Sequence, residues 1–162
     1  MSTETSTAAR PAAPALPQGC TNFKLRQLMR RVAHHYDAEM AKCGLKTTQY
    51  SLLSHVLKLG PIRPGELAAA MKMDASTLTR NLRPLVDAGW VTLEPGADAR
   101  SRLVHITDAG RDKRAEAQRC WKAAQLALND ILGAGRVAAL HALVDDAMML
   151  LAAAPDSGHD AP

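Results

Sequence analysis

The chain has 162 residues, enough for one domain with a hydrophobic core and short for two. Hydrophobic residues make up 47% and charged residues 22%, an ordinary globular composition that excludes an intrinsically disordered protein. Aromatic residues are scarce at 3%, and the many Ala, Leu and Met residues favour helices over sheet. The formal charge of +4 permits binding to nucleic acid without establishing it.

The cysteines and the chain ends bear on the cellular compartment. Cys20, Cys43 and Cys120 are far apart and odd in number, which argues against a secreted disulfide framework. Residues 1–19 lack the apolar core of a signal peptide, and no stretch approaches the roughly 20 apolar residues that span a bilayer. We therefore expect a cytoplasmic protein with no membrane partner, and disordered tails at 1–19 and 155–162.

The first half of the chain predicts three helices. Apolar side chains recur in steps of three and four over 20–44, which indicates an amphipathic helix stopped by Gly44. Thr47 or Thr48 is expected to cap a second helix. Pro64 suits the first turn of a short third helix.

The fourth predicted helix is divided by face. Asp74 is its natural N-cap, because a carboxylate accepts the free amide hydrogens of the first turn. Leucines form the inward face, and the side chains left for solvent are Ser76, Thr77, Thr79, Arg80 and Arg83. Short hydroxyl side chains permit close approach to a DNA major groove, and arginine can fork onto guanine. A solvated face that carries two arginines is the alternative interpretation.

A change of pattern then predicts a β-hairpin. Trp90–Leu93 and Leu103–Ile106 are β-branched and aliphatic, and turn-forming residues separate them. Thr107 can cap a long helix over Asp108–Leu132, and a last helix reaches about Ala153. Two helices a few residues apart, followed by a two-stranded hairpin, form the winged helix-turn-helix arrangement. The predicted fold class is therefore mainly α.

The predicted hairpin tip adds a second cationic group. Arg100 and Arg102 lie where a protruding loop can reach an adjacent minor groove, whose negative potential favours an inserted guanidinium. Asp98 is interpreted as a local partner that orients Arg100. With the helix-turn-helix before it, this tip favours contact with DNA over an exposed charged turn.

Six segments follow one another along the chain: Gly44–Gln49, Gly65–Ala68, Thr77–Leu82, Asp87–Val91, Asp98–Arg100 and Ile106–Gly110. Taken together and in this order, they resemble the MarR group of bacterial regulators across nearly the whole of residues 20–151. The resemblance implies that the fourth helix is the recognition helix and that Arg100 is the wing arginine, braced by Asp98. It also implies a DNA-binding regulator that acts as a homodimer, most often as a repressor.

The distribution of apolar residues agrees with a dimer. The first and last helices carry more apolar side chains than one small core can cover, and a two-fold interface would bury them. The predicted organisation is a winged helix-turn-helix lobe at 45–107 and a dimerisation lobe built from 20–44 and 108–154. Two recognition helices then require half-sites about 34–36 Å apart in a near-palindromic operator. An unusually helical monomer is the alternative.

The resemblance further implies a small-molecule effector, a small aromatic or heteroaromatic acid or phenol, bound where the two lobes meet. The candidate effector residues are polar groups on otherwise apolar helices: Asn22, Arg26, Arg30, His34, His35, Gln49 and Tyr50. An arginine or histidine in an apolar cleft can receive a carboxylate. Surface or interface roles for these residues are the alternative. Trp121 could line such a cleft, although a role in the core or interface is favoured.

The remaining candidates concern thiols and catalysis. Cys20, at the start of the first helix, is the candidate for a rival mechanism in which the regulator senses thiol oxidation, while Cys43 and Cys120 are expected to be buried and inert. No metal-ligand spacing, cofactor motif or catalytic set is found, so no cofactor and no enzyme activity are predicted. The rival class of function is a helical adaptor protein that does not bind DNA.

Overall fold

The computed structural model describes residues 18–96 and 101–154, and it confirms the predicted fold class. The helices and strands, in chain order, are α1 (Thr21–Met40), α2 (Thr47–Leu59), α3 (Pro64–Ala70), α4 (Ala75–Asp87), β1 (Val91–Pro95), β2 (Arg102–Ile106), α5 (Asp108–Leu132) and α6 (Ala134–Ala153). α3 and α4 form the helix-turn-helix, and β1 and β2 form the hairpin of the wing.

Several predictions fall on residues outside these two ranges. They include Asp98 and Arg100 at the predicted wing tip and nearly all of the predicted tails. Within the ranges, no helix is long and apolar enough to cross a membrane.

The hydrophobic core lies inside the winged helix-turn-helix, where α2, α3, α4 and the hairpin meet α5. Its largest fully buried side chains are Met40, Leu52, Leu53, Val56, Leu67, Leu78, Leu85, Val91 and Val104. Burial of each such side chain stabilises the fold by about 1.5–3 kcal/mol relative to exposure. In contrast, the buried residue of α6 is Val137 alone. The core therefore lies in the winged helix-turn-helix and leaves the outer helices largely uncovered.

The beginning of α2 is held by a residue of α1. Asp37 accepts hydrogen bonds from the backbone N–H of Thr47 (2.9 Å) and from its hydroxyl (2.7 Å). The N-cap position is Lys46, whose N–H donates to the side chain of Gln49 at 2.8 Å. The prediction that Thr47 or Thr48 caps this helix was wrong, because the acceptor comes from the neighbouring helix. Asp37 thus ties α1 to the first turn of α2.

The wing hairpin is anchored at its base. β1 and β2 pair antiparallel, with Pro95 opposite Arg102, so the strands reach further toward the tip than predicted. Ile62, just before α3, exchanges two backbone hydrogen bonds with Val104. The Val104 N–H donates to Ile62 O at 2.8 Å, and the Ile62 N–H donates to Val104 O at 3.3 Å. This third segment fixes the base of the wing to the core.

One junction joins the end of α4, the start of the wing and the start of α5. Thr107 is the N-cap of α5 as predicted, and its hydroxyl accepts the N–H of Gly110 at 3.0 Å. The same hydroxyl lies 2.8 Å from Gly89 O and 3.2 Å from Trp90 O. Gly110 is buried against Trp90, and a Cβ added to it would lie 1.9 Å from the Trp90 carbonyl oxygen. Only glycine lets the two segments approach so closely.

We predict that Gly110→Ala destabilises the protein by about 1–3 kcal/mol, because the added methyl forces α5 away from Trp90. Urea unfolding followed by circular dichroism measures the change. Gly135→Ala in α6 is the matched control, since a Cβ there meets no atom within 4 Å. This substitution should raise the free energy of unfolding by about 0.5–1 kcal/mol, because alanine is favoured over glycine inside a helix. Equal effects of the two substitutions would contradict the close contact at Gly110.

Candidate nucleic-acid interface

The faces of α4 are sharply separated. Leu78, Leu82 and Leu85 are buried in the core. Four of the five predicted contact residues on this helix are exposed, namely Ser76, Thr79, Arg80 and Arg83. Thr77 is half-buried and only partly faces solvent. The exposed face carries two guanidinium groups, and a major groove is wide enough to admit an α-helix.

The first turn of α4 is organised around the carboxylate of Asp74, which is the predicted N-cap. Asp74 Oδ1 accepts the Ser76 hydroxyl at 2.6 Å and the Thr77 N–H at 2.7 Å, and Oδ2 accepts the Thr77 hydroxyl at 2.7 Å. Hydrogen bonds from the hydroxyls of Ser76 and Thr77, and then from the Thr77 amide, hold the pKa of Asp74 well below its usual range. The carboxylate is therefore charged at neutral pH.

These bonds change the chemistry that the helix offers to DNA. The hydroxyl protons of Ser76 and Thr77 go to Asp74, and that of Thr79 goes to Ala75 O at 2.8 Å. Arg80 keeps an exposed guanidinium. Arg83 is exposed, and within the described part of the chain its ion pair is a long, solvated one of 3.8 Å with Asp87. A pair of this kind contributes little, so Arg83 can turn toward a phosphate or base.

The wing base and α4 line one groove. Arg102 on β2 is exposed and lies with Thr79 and Arg83 around a groove of about 330 Å³. Leu82 and Leu93 contribute to its apolar floor. The structure thus brings three of the predicted DNA-contact residues to one side of the molecule, and Arg80 lies on the exposed face of the same helix.

The predicted effector residues of α1 do not line a closed pocket. Arg26 donates to the side chain of Asn22 at 3.0 Å on the exposed surface. Arg30 and His34 border a shallow, open depression on the same helix. His35 points the other way, and its Nε2 lies 2.9 Å from Ala124 O on α5.

The two predicted effector residues of α2 have structural partners. Gln49 accepts the Lys46 N–H at the helix start. Tyr50 is buried, with its ring centroid 6.2 Å from that of Trp121 and 5.8 Å from the guanidinium carbon of Arg114. The seven candidates are therefore divided among several surroundings and do not converge on one ligand.

A cavity that the sequence did not indicate lies between α1, α2 and α5. It has a volume of about 370 Å³, and its lining residues are Met29, Val32, Ala33, Tyr36, Asp37, Thr47, Thr48 and Trp121. Among the described residues, none of the seven effector candidates lines it. The spacing of Met29, Val32 and Tyr36 was visible in the sequence as a helical stripe. The stripe gave no sign that a cavity would interrupt its packing.

A helix-turn-helix with a basic exposed face, a two-stranded wing beside it and long helices at both ends of the chain defines the winged helix-turn-helix class of DNA-binding proteins. The family model of the MarR family matches residues 44–101, which include α2, α3, α4 and β1. Over these residues the chain is similar to the MarR family of DNA-binding transcriptional regulators.

Individual relatives show the same similarity. The chain is 29% identical over 93 residues to an uncharacterized HTH-type transcriptional regulator, YwoH, of Bacillus subtilis, covering 57% of this chain and 68% of the relative. It is 29% identical over 96 residues to the multiple antibiotic resistance protein MarR of Salmonella typhimurium, covering 59% of this chain and 65% of the relative. The crystal structure of the M. tuberculosis transcriptional regulator MosR in complex with DNA superimposes with a TM-score of 0.68 and 29% identity, covering 82% of this chain and 98% of that one.

We predict that Asp74→Ala lowers the urea midpoint of unfolding at pH 7, because the first turn of α4 loses its acceptor. The folded-state pKa of Asp74 lies below the unfolded one, so the carboxylate stabilises the fold above about pH 4, and this contribution fades as the pH falls below that value. The difference in urea midpoint between wild type and Asp74→Ala should therefore shrink as the pH is lowered from 7 to 3. Asp74→Ser, which keeps an uncharged acceptor, is the control. A difference that is equal at pH 7 and pH 3 would show that charge plays no part.

Proposed function

We propose that this protein is a homodimeric regulator that binds a near-palindromic DNA operator, represses transcription and releases the DNA when a small aromatic effector binds. The observation that carries the DNA-binding part is the exposed face of α4, where Arg80 and Arg83 project from a helix whose opposite face is buried. Ser76, Thr77 and Thr79 shape the close approach at the start of this helix. The DNA complex of the related MosR supports the same use of the fold.

The wing is proposed to extend the contact beyond the major groove. Arg102 lies on the same side as Arg83 and can meet the phosphate backbone. Arg100, braced by Asp98, remains the residue proposed to enter the adjacent minor groove, where negative potential favours a guanidinium. Asp98 and Arg100 lie outside the described residues, so their roles rest on the sequence and the family.

The uncovered apolar faces support a homodimer. Large apolar side chains on the outer helices stay exposed in the single chain: Phe23, Leu25, Leu28, Met29, Leu126, Ile131, Leu143, Val144, Met148, Met149, Leu150 and Leu151. α1 and α6 together line an apolar groove of about 520 Å³. An exposed apolar surface of this extent is unfavourable in water, and a second copy related by a two-fold axis would bury it.

We expect Arg80→Ala and Arg83→Ala each to weaken binding to DNA by about 1–3 kcal/mol, because each removes a guanidinium from the groove face. Fluorescence anisotropy measures this on a duplex selected from a random pool by the wild-type protein. A lost phosphate contact lowers the salt slope by about one, whereas a lost base contact relaxes sequence preference. Arg119→Ala, at an exposed arginine of α5, is the matched control and should bind as wild type does.

Sedimentation equilibrium on the same samples tests the dimer, which both variants should retain. If both variants bound DNA with wild-type affinity, α4 would not be part of the DNA interface. A single-chain mass together with no binding to any duplex at low salt would instead favour the helical adaptor, the rival class of function.

The cavity between α1, α2 and α5 is proposed as the effector site. Tyr36 and Trp121 offer aromatic faces, and Asp37 supplies a carboxylate oxygen. Among the described lining residues there is no cation, so an aromatic carboxylate would meet repulsion from Asp37, while a phenol or a heteroaromatic N–H could donate to it. Of the effectors predicted from the sequence, the lining therefore favours phenols and heteroaromatic N–H donors, which are neutral, over aromatic carboxylates. The exposed side chains Arg26, Arg30 and His34 would act only by recruiting an anion at the surface of α1.

Release would follow from the position of this cavity. Asp37 and Thr47 both line it, and their hydrogen bonds join α1 to α2. A ligand shifts the equilibrium only by preferring one arrangement of the lobes over the other. A molecule that competes for Asp37 would favour a spacing of the recognition helices that no longer matches successive major grooves.

We expect phenols to quench the fluorescence of Trp121 and benzoates to do so only weakly. The measurement uses Trp90→Phe, which leaves Trp121 as the remaining tryptophan. Ala33→Met fills the cavity from an exposed position of α1 and should weaken quenching about tenfold or more while leaving DNA binding intact. Ala38→Met, at an exposed position of α1 outside the lining, is the control. Equal quenching in both variants would place the ligand elsewhere.

A further inference from the structure

The turn between α3 and α4 contains a lysine in a left-handed backbone conformation. Lys72, which follows the last residues of α3, has a φ of +52°. Two backbone hydrogen bonds close the turn: the Lys72 N–H donates to Ala69 O at 3.1 Å, and the Met73 N–H donates to Ala68 O at 3.0 Å. Met73 packs against the hydrophobic core. This pair of bonds is the Schellman ending of a helix, which requires a left-handed residue at position 72.

Glycine is the residue that suits such a position, because it has no Cβ to clash with the backbone. Within residues 18–96 and 101–154, every other residue with a positive φ is a glycine, namely Gly19, Gly44, Gly89 and Gly133. Lys72 is therefore the exception in the described chain. A glycine there would favour the turn, so the backbone alone does not account for the lysine.

The fold makes no use of the charge on Lys72. Its side chain is exposed, and in the part of the chain that the structure describes its ammonium group forms no ion pair or hydrogen bond. The lysine comes two residues before Asp74, the N-cap of α4. The Asp74 carboxylate is charged at neutral pH and would repel a phosphate that approached the start of α4. A cation beside it would offset that repulsion.

We propose that Lys72 binds a phosphate of the DNA backbone next to the start of α4 and so helps to position this helix in the major groove. The inference rests on the proposed function, in which α4 enters the groove. The ammonium group of lysine is a compact point charge that suits a phosphate oxygen, and a phosphate contact fixes orientation without reading the sequence. The strained turn is then retained for its charge, at some loss of stability.

Lys72→Gly separates these two roles. The variant should have a higher urea midpoint of unfolding than wild type, because the left-handed backbone no longer carries a Cβ. It should also bind DNA more weakly. One lost phosphate contact lowers the slope of log affinity against log salt by about 0.9, which corresponds to roughly eightfold weaker binding at 0.1 M salt. The factor should be the same for a selected and a random duplex, since no base is read.

Three further variants separate charge from backbone. Lys72→Arg keeps the charge and should keep the wild-type salt slope. Lys72→Gln removes the charge but keeps a Cβ, so it should bind as Lys72→Gly does without the rise in urea midpoint. Lys122→Gln, at an exposed lysine of α5, is the matched control for the loss of one positive charge and should bind as wild type does.

Fluorescence anisotropy across a series of salt concentrations gives the affinities and slopes. If wild type binds DNA and both Lys72→Gly and Lys72→Gln keep its salt slope, the phosphate contact is wrong and the proposed function stands. A changed preference among duplex sequences would also overturn it, because Lys72 would then read a base. If wild type binds no duplex at low salt, the proposed function fails and the phosphate contact fails with it.

Discussion

The hydroxyl of Thr107 is the interaction on which the arrangement of the two lobes depends. It lies at the point where α4 has ended, β1 is about to begin and α5 starts, and it contacts Gly89 O, Trp90 O and the N–H of Gly110. The absence of a side chain at Gly110 lets α5 begin directly against Trp90. Because α5 is a continuous helix of 25 residues, its direction at this junction determines where α5 and α6 lie relative to α4.

A second polar connection, from Asp37 to Thr47, joins the same two lobes on the other side of the cavity. Hydrophobic packing alone is non-directional and would allow α1 to slide along α2 and α5. Hydrogen bonds have fixed donors and acceptors, so they favour one position of α1 relative to α2 and α5. In addition to the two bonds of Asp37, the bond between His35 and the Ala124 carbonyl joins α1 to α5. The effector proposed for the cavity would meet one of these bonds directly. By competing for the hydrogen bond between Asp37 and Thr47, it would change the position of α1 relative to α2 without a large movement of the core.

Local signals in the sequence were sufficient for part of this structure. Asp74 and Thr107 cap helices that begin within three residues of them, so a short-range rule finds both. The acceptor for Thr47 comes from Asp37 on another helix, and no local rule could select it over Thr47 itself. The cavity depends likewise on how α1 and α5 pack. Sequence patterns indicate which face of a helix is apolar, and tertiary packing decides which of those residues meet.

The start of α4 shows how capping and recognition compete for the same atoms. A negative carboxylate at Asp74 stabilises the positive end of the helix dipole, yet it lies near the surface that should approach phosphates. The hydroxyls of Ser76 and Thr77 donate to that carboxylate and so spread its charge. These hydrogen bonds stabilise the helix, but the two hydroxyl hydrogens are then not available to donate to DNA. In the proposed function, attraction to the duplex would then come from the exposed guanidinium groups of Arg80, Arg83 and Arg102, and the affinity for DNA would depend strongly on salt concentration.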